Sequence, residues 1–191
     1  MHAGRDGAGI ARIMSVPIHA IERALWSKGT GRDVWAILDG ARDHRISFDL
    51  LNSYQTYTCL YSGDLAPELE RAAPYLVQLE SDERYTRNLL RNAWGKNWGI
   101  FLKSDASINQ LRRHLRTFLV VRGPTGKRLV FRYYDPRVLR VYLPTCVQEE
   151  LRAVFGPIAS FWTESPDGSS LLQFDFDRRK LSQREIPLNG D

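Results

Sequence analysis

Apolar runs short enough for strands alternate along the chain with amphipathic stretches, and two β-rich segments later face each other across a turn. This pattern predicts an α/β fold: a single domain with a mixed β-sheet flanked by helices, its antiparallel strands gathered toward the C-terminus. Three observations carry the prediction. Val34-Trp35-Ala36-Ile37-Leu38 is continuously apolar and ends at Asp39-Gly40, as does a strand covered on both faces and closed by a turn. Glu83 to Trp94 sets Tyr85, Leu89 and Leu90 on one stripe with Arg84, Arg87 and Arg91 outside it, the pattern of a surface helix. Thr117 to Arg122 and Arg128 to Tyr134 are β-rich and joined by Gly123-Pro124-Thr125-Gly126-Lys127, a connection of hairpin length. At 191 residues the chain is long enough for one domain with a substantial core and short for two. Its 43% hydrophobic and 26% charged content is that of a globular protein.

Residues 1–14 show no sustained periodicity and are expected to be disordered; the α/β domain is placed at 15–180 and a flexible tail at 181–191. Ser15 is a candidate cap for a helix whose first turn accepts Pro17, with Ile18, Ile21 and Leu25 on one face and Gly29 stopping it. Tyr57 to Tyr61 is a second strand-like run, ending at Ser62-Gly63-Asp64. Tyr75 to Leu79, after Pro74, is a third, and Trp98 to Leu102 a fourth. Ser104 is expected to cap a helix reaching Arg116, with Asp105 at its positive end and Ile108, Leu111 and Leu115 inward. Beyond the hairpin, Asp135 caps and Pro136 opens a short helix that turns Val138, Leu139 and Tyr142 inward and ends at Pro144. Val147 to Phe155 reads as another helix. Ile158 to Glu164 and Leu171 to Asp177 read as a strand pair across Ser165-Pro166-Asp167-Gly168. The tail beyond Lys180 is expected to fray, leaving Ile186 and Leu188 to dock on a partner.

Several function classes find no support in the residues. The longest apolar runs, such as Phe118 to Val121, are far short of the roughly 20 residues of a membrane span. Met1 to Gly9 lacks the basic start and apolar stretch of a secretory signal, so a cytoplasmic location and no membrane partner are expected. Cys59 and Cys146 are too few for a disulfide scaffold and too far apart for a zinc knuckle. His2, His19, His44 and His114 are scattered, so neither a metal nor a cofactor is expected. Neither Gly-x-Gly-x-x-Gly nor the Walker pattern occurs; Gly123 to Lys127 is the nearest mimic, but no helix follows it. Cys59 with His44 or His114 as base is the one nucleophile the sequence offers, and its place in Tyr57-Thr58-Cys59-Leu60-Tyr61 favours a structural thiol. Asp39-Gly40 and Asp43 suggest a carboxylate site at a strand end, though turn chemistry accounts for them equally. No catalytic residue is assigned, and an enzyme is not expected.

Charge is distributed unevenly around a net +5. Arg112 to Arg140 holds nine basic residues against the single acid Asp135, whereas Glu149 to Asp177 holds six acids against the single base Arg152. Such polarity suits either an internal match of two faces or an acidic partner. Arginines interleaved with Phe118, Phe131, Tyr133 and Tyr134 also fit a nucleic-acid-binding module, the main alternative to a protein partner.

At Phe131-Arg132-Tyr133-Tyr134-Asp135-Pro136-Arg137-Val138-Leu139 a strand turns into a capped helix, and here the chain resembles the domain of unknown function 4123 family, the type VI secretion effector adaptors or chaperones. The resemblance runs in order through Ala36 to Ala41, Leu60 to Gly63, Ala73 to Leu79, Trp98 to Ser104 and Leu111 to Arg116, ending near Phe155 to Ile158. It implies an adaptor that binds a toxic effector protein and loads it onto a VgrG spike, with no catalytic residues to carry over and no nucleic acid. The resemblance also implies a further helical lobe in many members, for which this chain has little room. The contact surface expected for such an adaptor is Arg112, Arg113, Arg116, Arg132, Arg137 and Arg140, aided by Tyr134 and Tyr142. Asp39, Gly40, Gly63, Pro74, Trp98, Gly99, Asp135 and Pro136 are expected to be structural, with Asp135 to Arg137 forming a cap and an internal ion pair that reaches Asp39. The oligomeric state is not predicted.

Overall fold

The computed structural model describes residues 16–27, 31–123 and 125–188. The stretch expected to be disordered at 1–14, the cap at Ser15, the stop at Gly29 and the hairpin's Pro124 lie outside them. The elements follow as α1 (Ile18–Leu25), β1 (Asp33–Asp39), α2 (His44–Leu51), β2 (Tyr57–Cys59), α3 (Pro67–Arg71), β3 (Pro74–Leu79), α4 (Arg84–Ala93), β4 (Gly99–Ser104), α5 (Ile108–Arg116), β5 (Val120–Arg122), β6 (Arg128–Val130), α6 (Pro136–Thr145), α7 (Gln148–Phe155), β7 (Ile158–Glu164), β8 (Ser170–Phe176) and β9 (Leu181–Pro187).

Seven strands form one sheet in the order β2-β3-β1-β4-β7-β8-β9, while β5 and β6 pair apart from it. Because β1 is apolar on both faces, it takes a central place between β3 and β4. Trp35 and Ile37 enter one core and Val34, Ala36 and Leu38 the other. The first core is closed by Leu111 and Leu115 of α5, Leu139 and Leu143 of α6, and Leu151 and Phe155 of α7. The second is closed by Ile21 and Leu25 of α1, Ile46 and Leu50 of α2, and Leu89 and Leu90 of α4. Each fully buried aliphatic side chain contributes about 1.5–3 kcal/mol, so these three layers account for most of what holds the domain together.

The α/β class, the flanking helices and the antiparallel C-terminal strands agree with the sequence. Hydrogen-bonded neighbours, however, are antiparallel at every described pairing rather than mixed. The register explains this. β1 and β2 run the same way around α2, as do β3 and β4 around α4, as strand-helix-strand units should. Yet β3 lies between β1 and β2, and β1 lies between β3 and β4, so no two parallel strands touch.

Three further expectations change. Ser107, not Ser104, caps α5, forming a capping box with Gln110, while the Ser104 hydroxyl ends β4 and donates to the Pro157 carbonyl at 2.7 Å. Pro144 lies inside α6, whose last turn continues to Thr145. The tail placed at 181–191 is a strand over Leu181–Pro187. It pairs along the whole of β8, and Leu188 is buried in the second core with Ile186 packed against it. Only its last residues, 189–191, lie outside the described chain. The four consecutive polar residues Ser182 to Glu185 resemble a tail because β9 is an edge strand exposed along most of its length.

Candidate partner-binding surface

One end of the sheet gathers the residues expected to be structural. Asp39 ends β1 opposite Pro74, and Gly99 opens β4 opposite Leu38. The Asp39 amide donates to the Trp98 carbonyl at 2.8 Å, and the Gly40 amide donates to the Ala73 carbonyl at 3.0 Å. A Cβ on Gly40 would collide with the Arg71 carbonyl at 2.4 Å, so the chain needs glycine there for close approach. Arg132 donates to the Asp39 carboxylate. Asp135 caps α6 by accepting from the Arg137 amide at 2.9 Å, and its carboxylate takes the Arg137 guanidinium at 2.6 and 3.0 Å. Burial acts to raise the Asp135 carboxyl, but the hydrogen bonds and charge of Arg137, with Arg42 nearby, outweigh it and hold the group below the usual range. The partner of Asp39 is therefore Arg132, while Arg137 closes on Asp135. Glu164, ending β7, accepts from the Gly95 and Asn97 amides at 2.5 and 2.8 Å, and burial pushes its carboxyl up. Gly63 lies apart in the turn after β2, at a φ of 88° that favours glycine.

This network absorbs several arginines expected at a contact surface. Arg140 donates to the Glu164 carbonyl at 2.6 Å. Arg112 fastens α5 to β2, with Nε to the Cys59 carbonyl at 3.0 Å and Nη2 to the Tyr61 carbonyl at 3.4 Å. Tyr134 is 1% exposed and belongs to the core, so it is unavailable to a partner. Tyr142 is half-buried with its ring 4.8 Å from that of Phe131. Arg113 and Arg137 stand exposed, and Arg116 and Arg132 are half-exposed.

What the fold leaves open lies next to Arg113 and Arg116 in the chain. The hairpin of β5 and β6 exposes Val120, Val121, Leu129 and Val130, each between 39% and 54% accessible. Val120 pairs with Val130 and Val121 with Leu129, so both hairpin faces carry aliphatic side chains into solvent. At its tip Arg122 stands directly opposite Arg128, beside Lys127. Opposed like charges destabilise a strand pair, and among the described residues neither arginine has an ion pair. Helix α6, packed at the foot of the hairpin through Tyr142 and Phe131, adds the exposed Val141. The sequence places these residues on two β-rich runs joined as a hairpin but assigns them no face. No local signal marks their exposure: Leu119-Val120-Val121 and Leu129-Val130-Phe131 are apolar at every position, as is the buried run of β1.

Among the described residues, neither Cys59 nor His114 is held as an activated group. Cys59 is half-buried, and burial pushes its thiol up rather than down. His114 donates through Nε2 to the Val154 carbonyl at 2.9 Å. No group of three or more His, Cys, Asp or Glu suited to a metal occurs among the described residues. No described helix is long and apolar enough to cross a membrane. Tyr133 is buried, and Phe118 and Phe131 rest against it at 6.2 and 6.1 Å, so these rings offer no open platform for bases.

The family model described as Domain of unknown function (DUF4123) matches residues 34–153, from β1 into α7. The chain belongs to the DUF4123 family. Every arginine expected at the contact surface, and the whole hairpin, fall inside the DUF4123 segment. Strands β7 to β9 lie beyond it and complete the sheet by pairing onto β4. The residues expected to be structural, Asp39, Gly40, Pro74, Gly99 and Asp135, lie within the matched segment and converge on one sheet end whose contacts are internal. No curated protein and no solved structure matches the chain.

Proposed function

We propose that this protein is a non-catalytic cytoplasmic adaptor that holds a type VI secretion effector and loads it onto a VgrG spike. Its contact surface is the β5–β6 hairpin with Arg113 and Arg116 of α5. The single observation that carries the reading is the hairpin. It presents four aliphatic side chains to water and sets Arg122 against Arg128, two unfavourable features that an acidic and apolar protein partner relieves together. Membership in DUF4123 supports it through the resemblance to effector adaptors. The rigid three-layer core supplies a preformed platform and lowers the ordering cost of binding.

The test is co-expression with the neighbouring toxin and spike genes, followed by pull-down. Val121→Gln with Leu129→Gln should abolish co-purification while the melting temperature stays that of the parent, because both side chains already stand in solvent and the new pair brings no opposed charges. Undiminished co-purification removes the hairpin from the reading. Turnover of a small metabolite by the pure protein, or steeply salt-dependent retention on duplex DNA, overturns the adaptor itself.

A further inference from the structure

The end of the sheet opposite Asp39, about 20 Å away along β1, carries a cleft with a volume of about 580 Å³. Arg32, just before β1, and Asp105, just after β4, form one wall through an ion pair of 3.0 Å. Arg152 of α7 and Arg178 of the β8–β9 turn form the other, above Phe155 and Phe176, whose ring centroids lie 5.6 Å apart.

The second wall is built rather than incidental. Arg178 takes a φ of 72°, a left-handed backbone that a non-glycine residue adopts at a cost. It is held there from both sides. The Asp177 carboxylate accepts from the Arg179 and Lys180 amides at 2.9 and 2.8 Å. The Arg178 carbonyl accepts from Gln148 Nε2 at 2.8 Å and from Arg152 Nη2 at 3.4 Å. The turn is thereby tied to α7 with the Arg178 side chain lining the cleft. Neither Arg152 nor Arg178 has a carboxylate partner among the described residues, and Arg179 and Lys180 extend the positive charge along the same turn.

We infer that this cleft is a second binding site and that it takes an acidic polypeptide segment, one in which carboxylates alternate with apolar side chains. Two unpaired guanidiniums recognise carboxylate by paired hydrogen bonds. Phe176, half-buried and backed by the buried Phe155, takes the neighbouring apolar group, which a free inorganic anion lacks, and the volume is that of a peptide-sized site. The inference rests on the adaptor reading only for whose segment it is: two sites at separate places give one protein a hold on two others.

A fluorescein-labelled peptide alternating glutamate and leucine, titrated with the full chain, tests it by anisotropy. Its lysine-and-leucine counterpart and inorganic phosphate serve as controls. Arg152→Gln removes one cation, and Arg178→Asn removes the other with a residue that tolerates the left-handed backbone. The glutamate peptide should bind saturably, each variant should weaken it by about tenfold or more at an unchanged melting temperature, and the lysine peptide should not bind. Equal binding by the parent and both variants, equal binding of the lysine peptide, or displacement by phosphate at concentrations equal to the peptide's overturns the inference. These measurements use the isolated protein, so their failure leaves the adaptor reading standing. That reading fails instead by undiminished pull-down with the hairpin variants.

Discussion

Arg132 donates to the carboxylate of Asp39, a residue ninety-three positions earlier, and the two ends of this pair differ in exposure: the Asp39 side chain is 1% accessible, that of Arg132 41%. Removing each partner should therefore cost differently. Arg132→Leu strands a buried carboxylate and should lower stability by about 3–5 kcal/mol. Asp39→Asn leaves an arginine able to turn to water and should cost about 1–2 kcal/mol. Urea denaturation of the two variants measures the difference, and equal losses would contradict it.

Gly99 meets the neighbouring strand so closely that a Cβ would stand 2.0 Å from the Ile37 carbonyl oxygen. Gly99→Ala must part β4 from β1 at the centre of the sheet, so soluble expression should collapse. Gly63→Ala meets nothing within 4 Å and bears only the strain of its φ of 88°, about 1–2 kcal/mol. Comparing the yields and melting curves of the two variants checks this.

Arg112 and Arg113 are neighbours in sequence and opposite in role. Arg112→Ala frees the carbonyls of Cys59 and Tyr61 and should cost about 1.5–3 kcal/mol. Arg113→Ala, at an exposed position, should stay within about 0.5 kcal/mol of the parent. Under the adaptor proposal, only Arg113→Glu lowers co-purification of cargo with the fold intact, as read by pull-down beside circular dichroism.

Burial holds the His114 imidazole below its ordinary 6.5, although its bond to the Val154 carbonyl acts the other way. The unfolded chain therefore binds the proton more readily than the folded one. The stability contributed by neutral His114 is present above pH 6.5 and is lost as pH falls through the lower, folded value. Glu164, raised above its ordinary 4.5 by burial, contributes the opposite slope, so the parent alone is ambiguous. His114→Gln should flatten the fall in melting temperature between pH 7 and about pH 5; an identical profile in both proteins would refute the assignment.

Much of the fold was legible because apolar runs and capping residues act locally. Val34 to Leu38 announces a central strand, Asp135-Pro136 announces α6, and Ile158 to Glu164 is β7 to the residue. What the residues hide is what long-range pairing decides. Nothing in Leu181 to Pro187 tells a frayed tail from an edge strand, because its order comes from β8. Nor does an arginine's type reveal whether it faces a partner or a carbonyl: Arg112 and Arg140 find the carbonyls of Cys59, Tyr61 and Glu164 across the fold. The exposed valines of the hairpin carry no local signal, since their unbroken apolar runs read like that of the buried β1, and the opposed Arg122 and Arg128 become visible only once register is known.

The interleaving of β1 between β3 and β4 bears on how the chain emerges from the ribosome. A nascent polypeptide that has reached Asp39 holds its most apolar segment with both hydrogen-bonding edges raw, and neither is covered until Leu79 and then Ser104 have been made. Strand β4 in turn waits for Ile158 to Glu164. Organised structure therefore accumulates late in synthesis, and a message cut short after α7 yields a product whose open β4 edge templates self-association rather than a smaller working domain.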